Sequence, residues 1–325
     1  MRTDRSSQRE NSSSDCDRRD FLKWTTGAAA SAAALSALPA IGRAAPQRDS
    51  AAETAVREFY ATLTDEQKTV MALPFEDERR TRISANWSIT PAKIGGFTKA
   101  QQELIHKIVK GATSEDGYER FLSQMKHDNG GIEKYSVAIF GNPEETPYAF
   151  ELTGRHLTLR ADGDTTTGVA FGGPIVYGHG AAGNSEKNLF SYQTRRVNEV
   201  FAALDEKQRT QALQPKSPSL DLLQVGGEKR KRSGIAGSDL SSDQQELLLS
   251  AFADVLAPYR KEDVDEVMSL VKDTGGVEKM NVTFFQAGDL GEDKVWDMWR
   301  IEGPAVVCDF RGAPHVHAYI NVAKV

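Results

Sequence analysis

Cysteine is nearly missing from this chain: Cys16 and Cys308 are the only two in 325 residues. Two thiols cannot build a disulfide framework or a four-cysteine zinc site. Basic residues are in deficit, 40 Lys+Arg against 46 Asp+Glu, which argues against a general nucleic-acid binder. No G-x-G-x-x-G or G-x-x-x-x-G-K-[ST] loop is present, so nucleotide binding lacks support. There is no G-x-S-x-G elbow and no H-E-x-x-H helix. The one long apolar run, residues 24–41, is mostly Ala and broken by Pro39, which argues against a membrane span. What remains, 39% apolar and 26% charged residues, is the composition of a soluble globular protein with room for one large domain or two ordinary ones.

Residues 1–44 stand apart. Asp17-Arg18-Arg19-Asp20-Phe21-Leu22-Lys23 precedes the Ala-rich run and resembles a twin-arginine (Tat) export signal, with Asp17 in place of the usual Ser or Thr. A cut after Ala44 is expected. The resemblance implies passage through the Tat translocon, a periplasmic or secreted location, and no stable membrane span after cleavage. The mature chain then carries 33 basic and 41 acidic residues and keeps only Cys308. The Tat route exports folded proteins, which suits a cofactor inserted before export.

The mature chain repeats itself. Asp65-Glu66-Gln67-Lys68 returns as Asp205-Glu206-Lys207-Gln208, Gln101-Gln102-Glu103-Leu104 as Gln244-Gln245-Glu246-Leu247, and Gly130-Gly131-Ile132-Glu133-Lys134 as Gly275-Gly276-Val277-Glu278-Lys279. The offsets are 140, 143 and 145, in the same order. An internal duplication is expected, with halves at 45–190 and 191–325 in one body. Apolar spacing predicts helices at 52–73, 98–110 and 114–126, then strands at 135–140, 148–152, 156–160 and 168–177. The second half predicts helices at 192–213, 243–257 and 261–272, then strands at 279–286, 295–301, 305–310 and 315–322. Gly154 and Gly303 are expected to supply positive φ in tight hairpins. Residues 178–188 read as the connection between halves, and 214–240 as a loop. The fold class is therefore α+β, two helices-then-antiparallel-strands halves packed about a pseudo-twofold axis.

Residues needed by a shared fold should recur in both halves, whereas a reactive residue can occur once. Four histidines occur once: His156, His179, His315 and His317. His106 and His127 read as surface groups. In a strand, His315 and His317 point to the same face with Cα atoms about 6–7 Å apart. Two imidazoles so placed can converge on one ion, and His156 from another strand would complete a triad with open positions. His179 is a candidate fourth ligand from the connecting loop. A hydrogen-bonded or exposed histidine pair is the plainer alternative. Imidazole suits copper, iron and zinc alike; copper is favoured for its affinity, and zinc would activate water instead. Cys308 reads as a buried thiol or a thiolate ligand, Glu151 and Glu302 as matched fold elements, and Lys229-Arg230-Lys231-Arg232 as a solvated loop or an anionic-surface contact. Trp87 reads as a packing residue or a carbohydrate-stacking one.

A resemblance can be placed on these motifs. Pro74-Phe75-x-Asp77-Glu78-Arg79, Trp87, Pro91, Gly117-Tyr118, Tyr135-x-x-Ala138-Ile139-Phe140-Gly141, Gly154-x-His156-Leu157, Gly172-Gly173-Pro174 and Ile301-x-Gly303-Pro304 before His315-x-His317 resemble, in that order, the bacterial family labelled domain of unknown function 3500. The resemblance implies that Gly154-x-His156 and His315-x-His317 are characteristic positions. Relatives carry two adjacent histidines where this chain has Arg155-His156, and a Trp-Arg-Asp segment after the terminal pair that is absent here. The expected function is an exported metal-dependent enzyme with a mononuclear His-ligated site, a copper or iron oxidoreductase acting on an unknown organic substrate. A zinc-dependent hydrolase and a non-catalytic extracytoplasmic ligand-binding protein are the alternatives.

Overall fold

The computed structural model describes residues 45–325. The arginine pair, Cys16 and the expected cut after Ala44 lie outside the described residues. The chain opens with α1 (Ala51–Ala61), α2 (Asp65–Met71) and β1 (Ala72–Leu73). Next come α3 (Lys99–Gly111), α4 (Glu115–Asn129), β2 (Ser136–Gly141), β3 (Tyr148–Gly154), β4 (Leu157–Ala161) and β5 (Ile175–Ala182). The second run is α5 (Ser191–Ala203), α6 (Glu206–Ala212), β6 (Leu213–Gln214), β7 (Ile235–Ala236), α7 (Ser242–Leu256) and α8 (Lys261–Asp273). It ends with β8 (Asn281–Phe285), β9 (Met298–Glu302), β10 (Val306–Arg311) and β11 (His315–Val322). The mixed α+β class stands.

Capping residues decide where helices start. Thr64, Thr98, Asp205 and Ser241 each accept a hydrogen bond from the backbone N–H three residues on, and Gln67, Gln101, Gln208 and Gln244 reach back to the cap N–H. Thr64 and Asp205 therefore begin new helices inside what the apolar spacing reads as single ones. The expected helix 52–73 is α1, α2 and β1, and 192–213 is α5, α6 and the first residue of β6.

The eleven strands form one sheet in the order β1-β2-β3-β4-β5-β11-β10-β9-β8-β6, with β7 paired to β8. The β1–β2 and β6–β8 pairs are parallel and all others antiparallel. Strands β5 and β11 meet in the middle. Side-chain alternation divides the sheet into two faces. Tyr177, Val316, Ala318, Ile320, Cys308 and Phe310 join the main core with helix residues such as Phe121 and Val255. Val176, Val307 and Tyr319 face the other way and pack with Leu223, Ile83 and Ala85. Part of 214–240 thus covers a sheet face rather than forming a simple loop. Arg230 from its basic run reaches Glu302 at 3.3 Å.

Candidate metal centre

His315 and His317 leave β11 on the same side as Tyr319, because they share its strand parity. The β5–β11 register shifts between His315 and Val316, where Gly180 and Ala181 of β5 are left without partners in β11. The two Nε2 atoms lie 3.1 Å apart. Nitrogens at that separation, each ~2.1 Å from one ion, would subtend about 95° there. That angle falls between octahedral and tetrahedral values.

His156 reaches the pair from the two-residue turn joining β3 to β4, not from within a strand as expected. Gly154 pairs with Leu157, and His156 takes the left-handed conformation at φ +61°. For a non-glycine residue that costs about 1–2 kcal/mol. A bond from the His156 N–H to the Ala85 carbonyl, 2.6 Å, helps to hold it there. The positive φ expected of Gly154 is thus carried by the histidine. Gly154 is required for another reason: a Cβ there would lie 2.1 Å from the Tyr135 ring. The His156 ring centroid is 4.9 Å from those of both His315 and His317. One nitrogen from each of the three rings lies within 4.8 Å of the other two.

Asp128, which sequence reasoning missed, sits behind His156. It is in the last turn of α4, at the negative end of the helix dipole, where a carboxylate is disfavoured. Its side chain is 1% exposed. Four donors compensate. His156 Nδ1 is 2.7 Å away, His127 Nδ1 2.9 Å, Gln124 Nε2 2.9 Å and the Gly180 N–H 3.0 Å. Burial pushes the carboxyl upward, but these bonds outweigh it and hold Asp128 well below the usual carboxylate range. An acceptor at Nδ1 leaves the lone pair of His156 on Nε2, the orientation that second-shell carboxylates impose on ligating histidines. Burial, then the neighbouring imidazoles, lower the pKa of His317 to about 3, and that of His315 is lowered by the same causes. Both rings are kept in the neutral form that binds metal.

His179 is not with these three. It lies in β5, not in a connecting loop, and pairs across from Val316. By parity it faces the helices while His315 and His317 face away. There it stands with Asp128 and His127, whose ring centroid is 4.6 Å from its own. The Leu189 N–H donates to His179 Nδ1 at 3.1 Å, so the neutral ring carries its proton on Nε2. Among the described residues that buried nitrogen has no hydrogen-bond partner, and it has no lone pair to offer an ion. Gly178 and Gly180 flank it because neighbours press close: a Cβ would meet the Val316 carbonyl at 2.1 Å or Asp128 Oδ1 at 2.8 Å. His127, expected as a surface group, is exposed yet bonded to Asp128. His106 bonds the Tyr118 hydroxyl at 3.0 Å. Cys308 is fully buried in the core, burial pushes its thiol upward, and it joins neither cluster. Glu151 is a buried partner of Arg160 at 2.8 Å, a fold element as expected.

Residues 46–321 match the family described as Protein of unknown function (DUF3500). The chain belongs to that family. In this DUF3500 protein the matched span takes in Asp128 and all three clustered histidines. Residues 15–39 match the twin-arginine translocation pathway signal sequence. The protein is therefore exported across the cytoplasmic membrane through the Tat translocon, to the periplasm or beyond. Among the described residues no helix is long and apolar enough to cross a membrane. No curated protein and no solved structure matches the chain.

Proposed function

We propose that this DUF3500 protein is an exported metal-dependent enzyme holding one transition ion on His156, His315 and His317. The observation that carries the reading is three ring nitrogens within 4.8 Å, one ring fixed by a buried carboxylate. An all-imidazole donor set without carboxylate in contact suits copper, iron or zinc and disfavours magnesium and calcium. Copper is favoured by its affinity for such sites, and an oxidoreductase acting on an organic substrate follows. A bound copper or iron ion would exchange electrons at the positions that three ligands leave open. The chain's part is to keep His315 and His317 neutral, to hold the His156 proton on Nδ1 against Asp128, and to fix two rings on β11 and the third on the β3–β4 turn. The Asp128–His156 contact gives zinc-dependent hydrolysis a place as the second reading, because such pairs orient zinc ligands.

Elemental analysis of the natively exported protein tests the centre. One equivalent of a transition metal is expected, absent from the His315→Ala/His317→Ala variant. A native protein without stoichiometric metal overturns the proposal. Paramagnetic resonance separates copper(II) from silent zinc.

We also infer that residues 45–190 and 191–325 are copies of one unit related by a pseudo-twofold axis between β5 and β11. Three observations support it beyond the repeated motifs. Outward from the centre the sheet reads β5-β4-β3-β2-β1 one way and β11-β10-β9-β8-β6 the other. Each edge is a two-residue parallel strand. Each half bonds its two capping glutamines together, Gln67 to Gln101 at 3.2 Å and Gln208 to Gln244 at 3.1 Å. Superposing the halves should overlay these elements in chain order; an overlay that needs reordered strands rejects the inference.

A further inference from the structure

Arg155 precedes His156 in the same turn, and its side chain faces solvent while His156 is buried. Beside it lies a cavity of about 380 Å³ lined by Asn86, Ser88, Lys93, Asn129, Lys134 and Arg155. No Asp or Glu lines it, although the chain as a whole is acidic. Among the described residues none of its three cations stands in an ion pair. Lys93 donates instead to Ser88 Oγ at 2.6 Å, and burial pushes its ammonium below the ordinary lysine range. Cations lining a concavity without counter-charge leave an anion there free to be attracted.

Trp87 forms one wall, yet it is not a free stacking surface. Its indole N–H donates to Thr158 Oγ1 at 3.2 Å, and the Arg82 guanidinium lies 4.9 Å over its ring. A neutral sugar would find no open aromatic face here. Apart from Gly154, every other lining side chain can donate: two amides, a hydroxyl, two ammonium groups and a guanidinium. Such a set matches oxyanions, and guanidinium can meet them with two parallel hydrogen bonds.

The geometry points to an oxyanion-binding pocket, formed by Arg155, Lys93 and Lys134, that recognises the anionic group of the substrate beside the His156 centre. The class is an organic molecule bearing a carboxylate, sulfate or phosphate. The volume admits a headgroup of about one sugar ring, at the lower end of ligand-pocket sizes. Its role as a substrate pocket rests on the proposed metalloenzyme, whereas anion binding itself does not.

Ligand-observed NMR titration of the exported protein with glucuronate, sulfate and phosphate, against glucose as the uncharged control, tests it. Saturable binding of at least one anion, absent for glucose and weakened by added salt, is expected. The preferred anion identifies the headgroup. Arg155→Ala and Lys93→Ala/Lys134→Ala should each weaken binding about tenfold, with partial recovery in Arg155→Lys, which keeps the charge. The His315→Ala/His317→Ala variant should bind the anion unchanged, so failure of the metal centre would leave this result standing. Circular dichroism of each variant excludes misfolding. No saturable anion, equal binding of glucose, or affinities unchanged in both cation variants would overturn the pocket.

Discussion

Asp128 is the residue on which the two histidine groups turn. It bonds His156 through one oxygen and His127 through the other. Removing it frees the His156 tautomer without touching a proposed ligand. Asp128→Ala is therefore expected to weaken metal binding by about 10–100-fold, measured by competition with a chromophoric chelator. Asp128→Asn, which keeps an acceptor oxygen, should lose less. Gly180→Ala tests the same contact from the opposite side. Its new methyl would press on Asp128 Oδ1, so metal affinity and melting temperature should both fall. The H-x-H pair was legible in the sequence because strand parity brings i and i+2 to one face. Asp128 was not, since an Asp among polar residues at a helix end carries no sign of what the sheet will bring against it.

Elements were legible where the chain announces its own boundaries. Ser241 with Gln244 marked a helix start, and Thr98 another, as local chemistry alone requires. Thr64→Ala should cost about 1 kcal/mol of stability, read by urea unfolding, because it strips the cap from α2. Strand limits were harder. Apolar content places a strand at 168–177, whereas β5 runs Ile175–Ala182 after a turn of 3₁₀ helix at Ala170–Gly172. Gly178 and Gly180 read as loop residues, but they serve close packing in a central strand. That displacement put His179 in a connection and hid its face. The hairpin at 155–156 was misread in the same way. Glycine was expected to supply the left-handed residue, and tertiary contacts impose it on His156 instead. Gly154→Ala should destabilise the fold even though its φ is ordinary, because the Tyr135 ring occupies the space; a melting temperature equal to the wild type would refute this.

At the scale of the molecule, the proposed centre couples acidity to stability. An unfolded histidine takes up a proton near pH 6.5, while His317 in the fold resists protonation down to about 3. Between those values the unfolded state binds more protons, so stability is full above pH 6.5 and declines as pH falls toward 3. Asp128, held low by its donors, adds to the loss in the same direction below the ordinary Asp range of about 4. Melting temperature followed from pH 8 to pH 4 should fall more steeply for the wild type than for His317→Gln. Added metal should raise it, by about 2.7 kcal/mol of stability at a hundredfold excess over Kd, and leave His315→Ala/His317→Ala unmoved.

Strand β11 lies between β5 and β10, deep in the sheet order, although its residues follow all ten other strands along the chain. Without residues 315–322, β5 and β10 would each lack the neighbour that answers their facing backbone groups. His315 and His317 arrive on that same closing piece. Completion of the sheet and assembly of the three-imidazole cluster thus depend on the same eight-residue strand.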